Sequence, residues 1–167
     1  MHSASAEIVD SITKWMETFV EVPHPSFGNM PPCPYARQFR MQNKIKIIES
    51  YDAVWDCAFR TAATWTDEHE AIVIASDKTY ISHSLLSDKV RGLNRRFRHQ
   101  DLVMLEDHPE DKEYIDSVCM NHGSLVLIVV QRLAQLNRFS KGLRSTKYFH
   151  NWSKENLADV VDWRFED

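Results

Sequence analysis

The chain contains few of the residues that give a backbone freedom or covalent cross-links. Its 167 residues include only four glycines, six prolines and three cysteines. No two glycines lie close together, which excludes a glycine-rich phosphate loop. The composition also excludes collagen-like, low-complexity and disulfide-scaffold proteins. The three cysteines match no zinc-binding spacing.

Signals for export and membrane insertion are also missing from the sequence. The first seven residues lack the basic and apolar regions of a signal peptide. No apolar run reaches the roughly 18 residues that a membrane-spanning helix requires. We therefore expect a reduced, cytoplasmic protein without membrane contact. The length and the 43% hydrophobic content suit a single domain, residues 1–167, that buries one core.

The net charge is small, but the charged residues are unevenly distributed along the sequence. The net charge is −4, whereas residues 89–99 and residues 132–147 each carry five cations and no acid. Residues 106–116 carry six acids and one lysine. The basic stretches are either solvated faces balanced by the acidic one or parts of an anion site. The candidate anion-binding residues in them are Arg95, Arg96, Arg138 and Lys141. The net charge makes nucleic acid a less favoured partner, although cations interleaved with aromatic residues suit a single strand.

Hydrophobic periodicity predicts alternating helices and strands. Helices are expected at 5–20, 34–42, 51–65, 84–98, 110–120, 131–143 and 153–163, and strands at 44–49, 70–75, 101–105 and 124–130. Ser3 or Ser5, Ser50 and Ser153 are candidate helix caps. The strand at 124–130 is apolar throughout, so we expect it to be central and covered on both faces. Five prolines make residues 21–34 a stiff irregular loop.

This order of elements predicts an α/β protein, specifically an α+β sandwich built on a four-stranded sheet. A ferredoxin-like sheet would use the four strands as βαββαβ, with the helix at 84–98 inserted and extra helices at the termini. The alternative is a doubly wound parallel sheet in which every helix is a crossover.

One short motif, Cys33-Pro34-Tyr35-Ala36, lies where the proline-rich loop meets a helix. Proline is favoured at the first helical position, which would make Cys33 the N-cap. A thiolate there would face unpaired N–H groups and the positive end of the helix dipole, which lowers a cysteine pKa. Arg37 and Arg40 would add positive charge. The alternative is that Cys33 is a small buried residue that fastens the loop to the core.

Two resemblances begin at this motif. Cys33-Pro34-Tyr35-Ala36, followed by the strand at 45–49, resembles the Cys-Pro-aromatic helix start of glutaredoxins and omega-class glutathione transferases, which would imply thiol transfer. The chain also resembles an uncharacterised family of bacterial proteins with a tryptophan in the first helix, a Cys-Pro-Phe-Ala motif and a His-Pro pair. Trp15 and His108-Pro109 match, while Tyr35 replaces the usual phenylalanine. That resemblance implies one α/β domain and draws attention to Cys33 and His108.

Two functions follow as hypotheses. The first is a small soluble enzyme acting on a small anionic metabolite, with Cys33, Tyr35 and His108 as candidate catalytic residues and Arg37 and Arg40 as charge partners. The second is a non-catalytic binding or regulatory protein that docks a protein partner or nucleic acid through its basic face. No metal site, cofactor or oligomeric state is predicted.

Overall fold

The computed structural model describes residues 2–166. Its strands are β1 (His2–Ser3), β2 (Ile45–Glu49), β3 (Ala71–Ser76), β4 (Leu102–Asp107), β5 (Tyr114–Ile115), β6 (Val118–Cys119) and β7 (Val126–Arg132). Its α-helices are α1 (Ala6–Trp15), α2 (Ala36–Met41), α3 (Val54–Ala63), α4 (His83–Phe97), α5 (Leu133–Leu143) and α6 (Lys154–Val160). A π-helical turn (Met16–Val20) extends α1, and 3-10 turns occupy Pro25–Phe27, Arg98–Gln100 and Asp162–Phe165. Within residues 2–166, no helix is both long and apolar enough to span a bilayer.

The main sheet has the order β1-β2-β3-β7-β4 over the described residues. β2 and β3 are parallel, whereas β7 runs antiparallel to both of its neighbours, β3 and β4. The α+β class and the sheet of four main strands are therefore confirmed. β1 adds only two residues at one edge.

The directions of the paired strands differ from those of both expected arrangements. A ferredoxin-like sheet pairs all neighbouring strands antiparallel, but β2 and β3 are parallel. A doubly wound sheet would make β7 parallel, but it is antiparallel. The reason is that α3 and α4 both act as crossovers between strands of one direction, while the segment from β4 to β7 contains no helix and returns the chain antiparallel.

The helix predicted at 110–120 is wrong. This segment forms the two-stranded hairpin β5–β6, with Ile115 opposite Val118. Asp116 has a φ of +56°, a left-handed conformation that suits a tight turn and ends helical geometry. Ile115 is fully buried in a cluster with Phe27, so packing against the proline-rich loop favours the hairpin.

Capping side chains set several helix starts. Ser5 accepts a hydrogen bond from the Ile8 N–H at 3.3 Å, and Ser153 forms a reciprocal capping box with Asn156. These two predicted caps are confirmed. Ser50 does not cap α3, because its hydroxyl donates to Asp52 and the helix begins only at Val54.

The hydrophobic core lies on both faces of the sheet. Val126, Ile128 and Val130 of β7 pack on the side of α3 and α4. Leu125 and Leu127 pack on the other side, with residues of α1. Because successive side chains of a strand alternate between faces, β7 contributes to both layers, as predicted for a covered central strand.

A third cluster joins the proline-rich loop to the C-terminal part of the chain. It contains Phe27, Ile115, Leu143 and Tyr148. Gly28 has a φ of +64°, and a Cβ at this position would lie 2.6 Å from the backbone of Lys147. The loop therefore needs glycine here for its conformation and for the close approach of another segment.

Candidate functional site

The motif at Cys33 does not place the cysteine at a helix cap. The helix α2 begins at Ala36 with Tyr35 as its N-cap. The Cys33 carbonyl accepts a turn hydrogen bond from the Ala36 N–H at 3.3 Å, so Pro34 lies inside a turn that precedes the helix. The Cys33 N–H donates to the carbonyl of Val20 at 3.1 Å and ties the motif to the end of the first helical segment.

The surroundings of the Cys33 thiol act against activation. Burial of the sulfur among protein atoms raises its pKa, and this outweighs the N–H groups of Tyr35 and Ala36, which lower it. Cys33 is exposed as a residue, so solvent moderates the rise. The pKa of Cys33 is nevertheless raised, whereas the pKa of an activated thiolate is lowered. Reactivity of Cys33 stays a prediction, and the geometry gives it little support.

Tyr35 is held by aromatic packing. Its ring stacks on Phe139 of α5, with centroids 3.6 Å apart and planes at 12°. Phe139 also lies 6.0 Å from Phe39. This stack joins α2 to α5, which explains an aromatic residue at position 35 without a role in proton transfer.

The two arginines of α2 differ in availability. Arg40 donates from Nε and Nη2 to both carboxylate oxygens of Glu21, at 2.7 and 2.8 Å, and its Nη1 lies 3.4 Å from Glu17. The Glu21 side chain is only 4% exposed, so Arg40 neutralises a buried acid. These hydrogen bonds raise the pKa of Arg40. Arg37 is exposed on the same helix.

His108 lies at the end of β4, as predicted, but it is only 3% exposed. Its Nδ1 accepts a hydrogen bond from the Glu110 N–H at 3.0 Å. The proton must then lie on Nε2, which donates to the carbonyl of Ile81. Both ring nitrogens therefore bind backbone groups, and His108 joins the segment before α4 to the segment after β4.

Asn121 organises the acidic segment that follows β4. Its Nδ2 lies 2.7 Å from Asp107 Oδ1, 2.9 Å from the His108 carbonyl and 3.0 Å from the Asp111 carbonyl. Its Oδ1 accepts the Glu113 N–H at 2.7 Å. Burial raises the pKa of Asp107 despite these contacts. We call Asp107, His108, Asn121 and His122 the loop hub.

The loop hub also contains a serine–histidine contact. Ser11 Oγ lies 3.1 Å from His122 Nε2, and the other oxygen of Asp107 accepts the backbone N–H of His122 at 2.9 Å. His122 Nδ1 faces the Ser124 N–H at 3.4 Å, which places the ring proton on Nε2. His122 therefore donates to Ser11 and does not accept its proton. The contact fastens α1 to the hub, and Asp107 binds the backbone N–H of His122 instead of Nδ1, so the carboxylate that orients the ring in a Ser-His-Asp triad is not in place.

Cys33, Tyr35 and His108 thus have separate structural partners. Cys33 is tied to Val20, Tyr35 to Phe139, and His108 to Ile81 and Glu110. In the described part of the chain, no group of three or more His, Cys, Asp and Glu residues is placed to hold a metal ion.

A different surface combines cations with aromatic rings. Lys89 Nζ lies 5.6 Å from the centroid of Trp55, and the guanidinium of Arg96 lies 5.0 Å from the centroid of Phe59. Phe59 also contacts Phe97 edge to face, with centroids 5.4 Å apart. We call the surface of α3 and α4 formed by Trp55, Phe59, Lys89 and Arg96 the basic–aromatic face; Arg95 is an exposed neighbour on α4.

The cations of this face have no acidic partners. Among residues 2–166, none of Lys89, Arg95 and Arg96 forms an ion pair, although all three are exposed. Among the other exposed arginines, Arg60 pairs with Asp52 at 2.9 Å, whereas Arg37 and Arg138 have no ion pair in the described part of the chain. The exposed cations over rings are therefore available to an anion from solvent.

A buried arginine, Arg164, packs against the second basic stretch. Arg164 is 3% exposed, and its guanidinium donates only to neutral groups of Val160, Asn137 and Ser140, at 3.0 to 3.1 Å. Burial lowers its pKa to about 10. Arg98 donates to the Arg164 carbonyl at 2.8 Å, and Asn137 donates to the same carbonyl at 3.2 Å, so the two basic stretches are linked through Arg164.

Two cations of that stretch, Arg138 and Lys141, lie on α5. Arg138 is exposed there, and Lys141 Nζ lies 5.6 Å from the ring of Phe165. Arg144 pairs with Asp162 at 3.3 Å. The predicted anion-binding residues therefore lie on three helices: Arg37 and Arg40 on α2, Arg95 and Arg96 on α4, and Arg138 and Lys141 on α5.

Sequence reasoning missed Asn121, Arg164 and the ring–cation pairs. Asparagine and arginine are common on protein surfaces, and the sequence positions of Asn121 and Arg164 gave no sign that these two residues form internal hydrogen bonds. Trp55 and Phe59 are four residues apart, which places them on one side of a helix, but nothing in the sequence placed that side next to residues 89–99. Comparisons of the chain with protein-family models, with curated proteins and with solved structures found no match.

Proposed function

We propose that this chain is a non-catalytic binding protein that holds single-stranded nucleic acid on the basic–aromatic face. The observation that carries the proposal is the pair of cations held over rings, Lys89 over Trp55 and Arg96 over Phe59, without carboxylate partners in the described residues. The candidate catalytic residues offer weaker support for an enzyme, because both ring nitrogens of His108 bind the protein itself, Tyr35 is held by ring stacking, and burial raises the pKa of Cys33.

The chemistry of this face suits a single strand. Bases stack on aromatic rings and on arginine, at about 1–3 kcal/mol per base, while lysine and arginine neutralise phosphates. Trp55 and Phe59 are four residues apart on α3, which separates them by about 6 Å along the helix axis. The two ring–cation pairs can therefore contact neighbouring nucleotides. Each phosphate that Lys89 or Arg96 neutralises releases counterions, so binding on this face is sensitive to salt.

The test is the binding of labelled 12-nucleotide RNA and DNA single strands at about 50 mM salt, followed by fluorescence anisotropy. We expect the double variant Lys89→Gln/Arg96→Gln to weaken binding at least about tenfold. It should also reduce the slope of log affinity against log salt by about 1.4, since each neutralised phosphate contributes about 0.7 on a single strand. Bound nucleic acid should quench the emission of Trp55, and Trp55→Phe should remove that quenching.

The matched control is Lys14→Gln/Lys154→Gln, which removes two exposed charges from other helices. It should leave affinity within about twofold of the parent, because these charges lie on α1 and α6 and not on the basic–aromatic face. An equal loss in this control would assign binding to overall charge and overturn the proposal. So would a lack of binding to both single strands at about 50 mM salt.

A further inference from the structure

The outer edge of β2 is only partly covered. β1 pairs with β2 at two positions, His2 with Glu49 and Ser3 with Ile48. The chain then turns away into α1. In the described residues, Ile45, Lys46 and Ile47 have no strand partner on this side.

The main-chain groups of this edge can be placed from the parallel ladder with β3. The Lys44 carbonyl accepts from the Ala71 N–H at 3.3 Å, and the Ser50 N–H donates to the Ala75 carbonyl at 2.8 Å. In a parallel pair, alternate residues direct both groups to the same neighbour. Even-numbered residues of β2 therefore bind β3, and the N–H and C=O groups of Ile45 and Ile47 point outward.

A groove runs beside this edge. Its volume is about 250 Å³, well above the roughly 30 Å³ of one water molecule, so it can accept a side chain. Its walls include Val9, Thr13 and Met16 of α1, Ile45 and Ile47 of β2, and Arg40 at the end of α2. Ile45 and Ile47 are two residues apart, so an added strand could direct alternate side chains toward the same groove.

The charged residues beside the edge indicate which kind of added strand would bind there. Lys46 is exposed on the other face of β2 and forms no ion pair among the described residues. Lys44 donates to the carbonyl of Glu68 at 3.3 Å, with Glu70 opposite it in register. Arg40 is already neutralised by Glu21. Symmetric pairing of two copies about this edge would place Lys46 against Lys46, which is unfavourable. A carboxylate is the favourable neighbour.

We propose that the outer edge of β2 binds an extended acidic segment of a partner protein. The segment adds a strand beside Ile45 and Ile47, directs apolar side chains into the groove and places a carboxylate beside Lys46. Main-chain hydrogen bonds supply affinity in this mode of recognition, and the alternating side chains supply specificity. The proposal does not depend on the nucleic-acid function.

The test uses a fluorescein-labelled eight-residue peptide of alternating leucine and glutamate and the full chain. We expect saturable binding that Lys46→Glu weakens about five- to tenfold, because a favourable cross-strand pair becomes a like-charge pair. Lys112→Glu reverses an exposed charge elsewhere and should leave the affinity unchanged. Lys46 is exposed, so its variant should keep the parent melting temperature, which a thermal scan verifies.

Hydrogen exchange locates the bound peptide on the chain. The peptide should slow exchange of the Ile45 and Ile47 amides, whereas the Lys46 amide, which already binds β3, serves as an internal control. Three results would each overturn the proposal: equal binding of a leucine–lysine peptide, unchanged exchange at both isoleucines, and self-association of the chain through this edge in the absence of peptide.

Discussion

The loop hub and the basic–aromatic face use polar residues in opposite ways. In the hub, His108, Asn121 and Asp107 bind backbone and side-chain groups of the same chain at 2.7 to 3.0 Å. On the basic–aromatic face, Lys89 and Arg96 lie over rings and have no carboxylate partner in the described residues. His108, a candidate catalytic residue by sequence, therefore helps to hold the fold together. Cations on an ordinary helix surface are the groups left free to bind.

Two arginines show the same contrast. Neither Arg164 nor Arg96 has a carboxylate partner among residues 2–166. Arg164 is buried and satisfied by neutral oxygens, whereas Arg96 is exposed above Phe59. Burial thus decides which arginine stabilises the fold and which one can contact a ligand.

The largest expected effect is that of Asn121→Asp. The substitution keeps the side-chain shape but places a carboxylate oxygen against Asp107 Oδ1 and the carbonyls of His108 and Asp111, where the amide nitrogen now lies at 2.7 to 3.0 Å. We expect a loss of about 3 kcal/mol or more in the free energy of unfolding. Urea denaturation measures it. Gln38→Glu, which adds an exposed charge on α2, should change stability by less than about 0.5 kcal/mol. A loss below about 1 kcal/mol for Asn121→Asp would show that the hub is not what holds this segment.

A pair of methionine variants should separate stability from binding. The lowered pKa of Arg164, about 10, indicates that burying this charge costs about 3 kcal/mol. Its three hydrogen bonds from a charged donor contribute about 1.5–3 kcal/mol each, so the hydrogen bonds outweigh the burial cost. We therefore expect Arg164→Met to destabilise the chain by about 2 kcal/mol or more. Arg96→Met should change stability by less than about 0.5 kcal/mol and still weaken nucleic-acid binding. Equal losses of unfolding free energy for the two variants in urea denaturation would show that burial does not decide which arginine stabilises the fold.

The smallest expected effect concerns the pH dependence of stability. Partial desolvation raises the pKa of Glu113, although the residue is exposed, and the carboxylates of Asp107, Asp159, Asp111 and Glu106 raise it further. A carboxyl whose folded pKa lies above its unfolded value opposes folding once it ionises. Stability is therefore lost as pH rises from the unfolded pKa through the folded one. Glu113→Gln should raise the melting temperature at about pH 7 and have no effect at about pH 3, where both states are protonated.

Thermal scans at the two pH values test this pH dependence. Glu68→Gln removes an exposed carboxylate outside the hub and should show no such difference between them. A melting temperature for Glu113→Gln that is unchanged at both pH values would mean that Glu113 is well solvated in the folded chain.

Local patterns were sufficient to predict the main strands and several helix ends. The apolar run before Gln131 correctly predicted a central strand covered on both faces, because such a run is stable only between two layers. Ser5 and Ser153 were correctly predicted as caps, since a cap depends on residues three positions apart.

Predictions that depended on distant partners were wrong. The helix predicted at 110–120 is a hairpin, because Ile115 packs against Phe27, far away in the sequence. The predicted cap at Cys33 fails because the motif forms a turn bonded to Val20 before the helix begins. Neither contact leaves a periodic signal in the local sequence.

The sequence by itself determined the α+β class, the central buried strand and the location of the acid-free segments. These properties depend on composition and on periodicity over a few residues. Only the tertiary structure decided the antiparallel placement of β7 and the internal bonding of His108. It also decided the buried state of Arg164 and the meeting of Lys89 and Arg96 with Trp55 and Phe59. The reason is physical: whether a polar group is satisfied depends on neighbours that folding brings from distant segments.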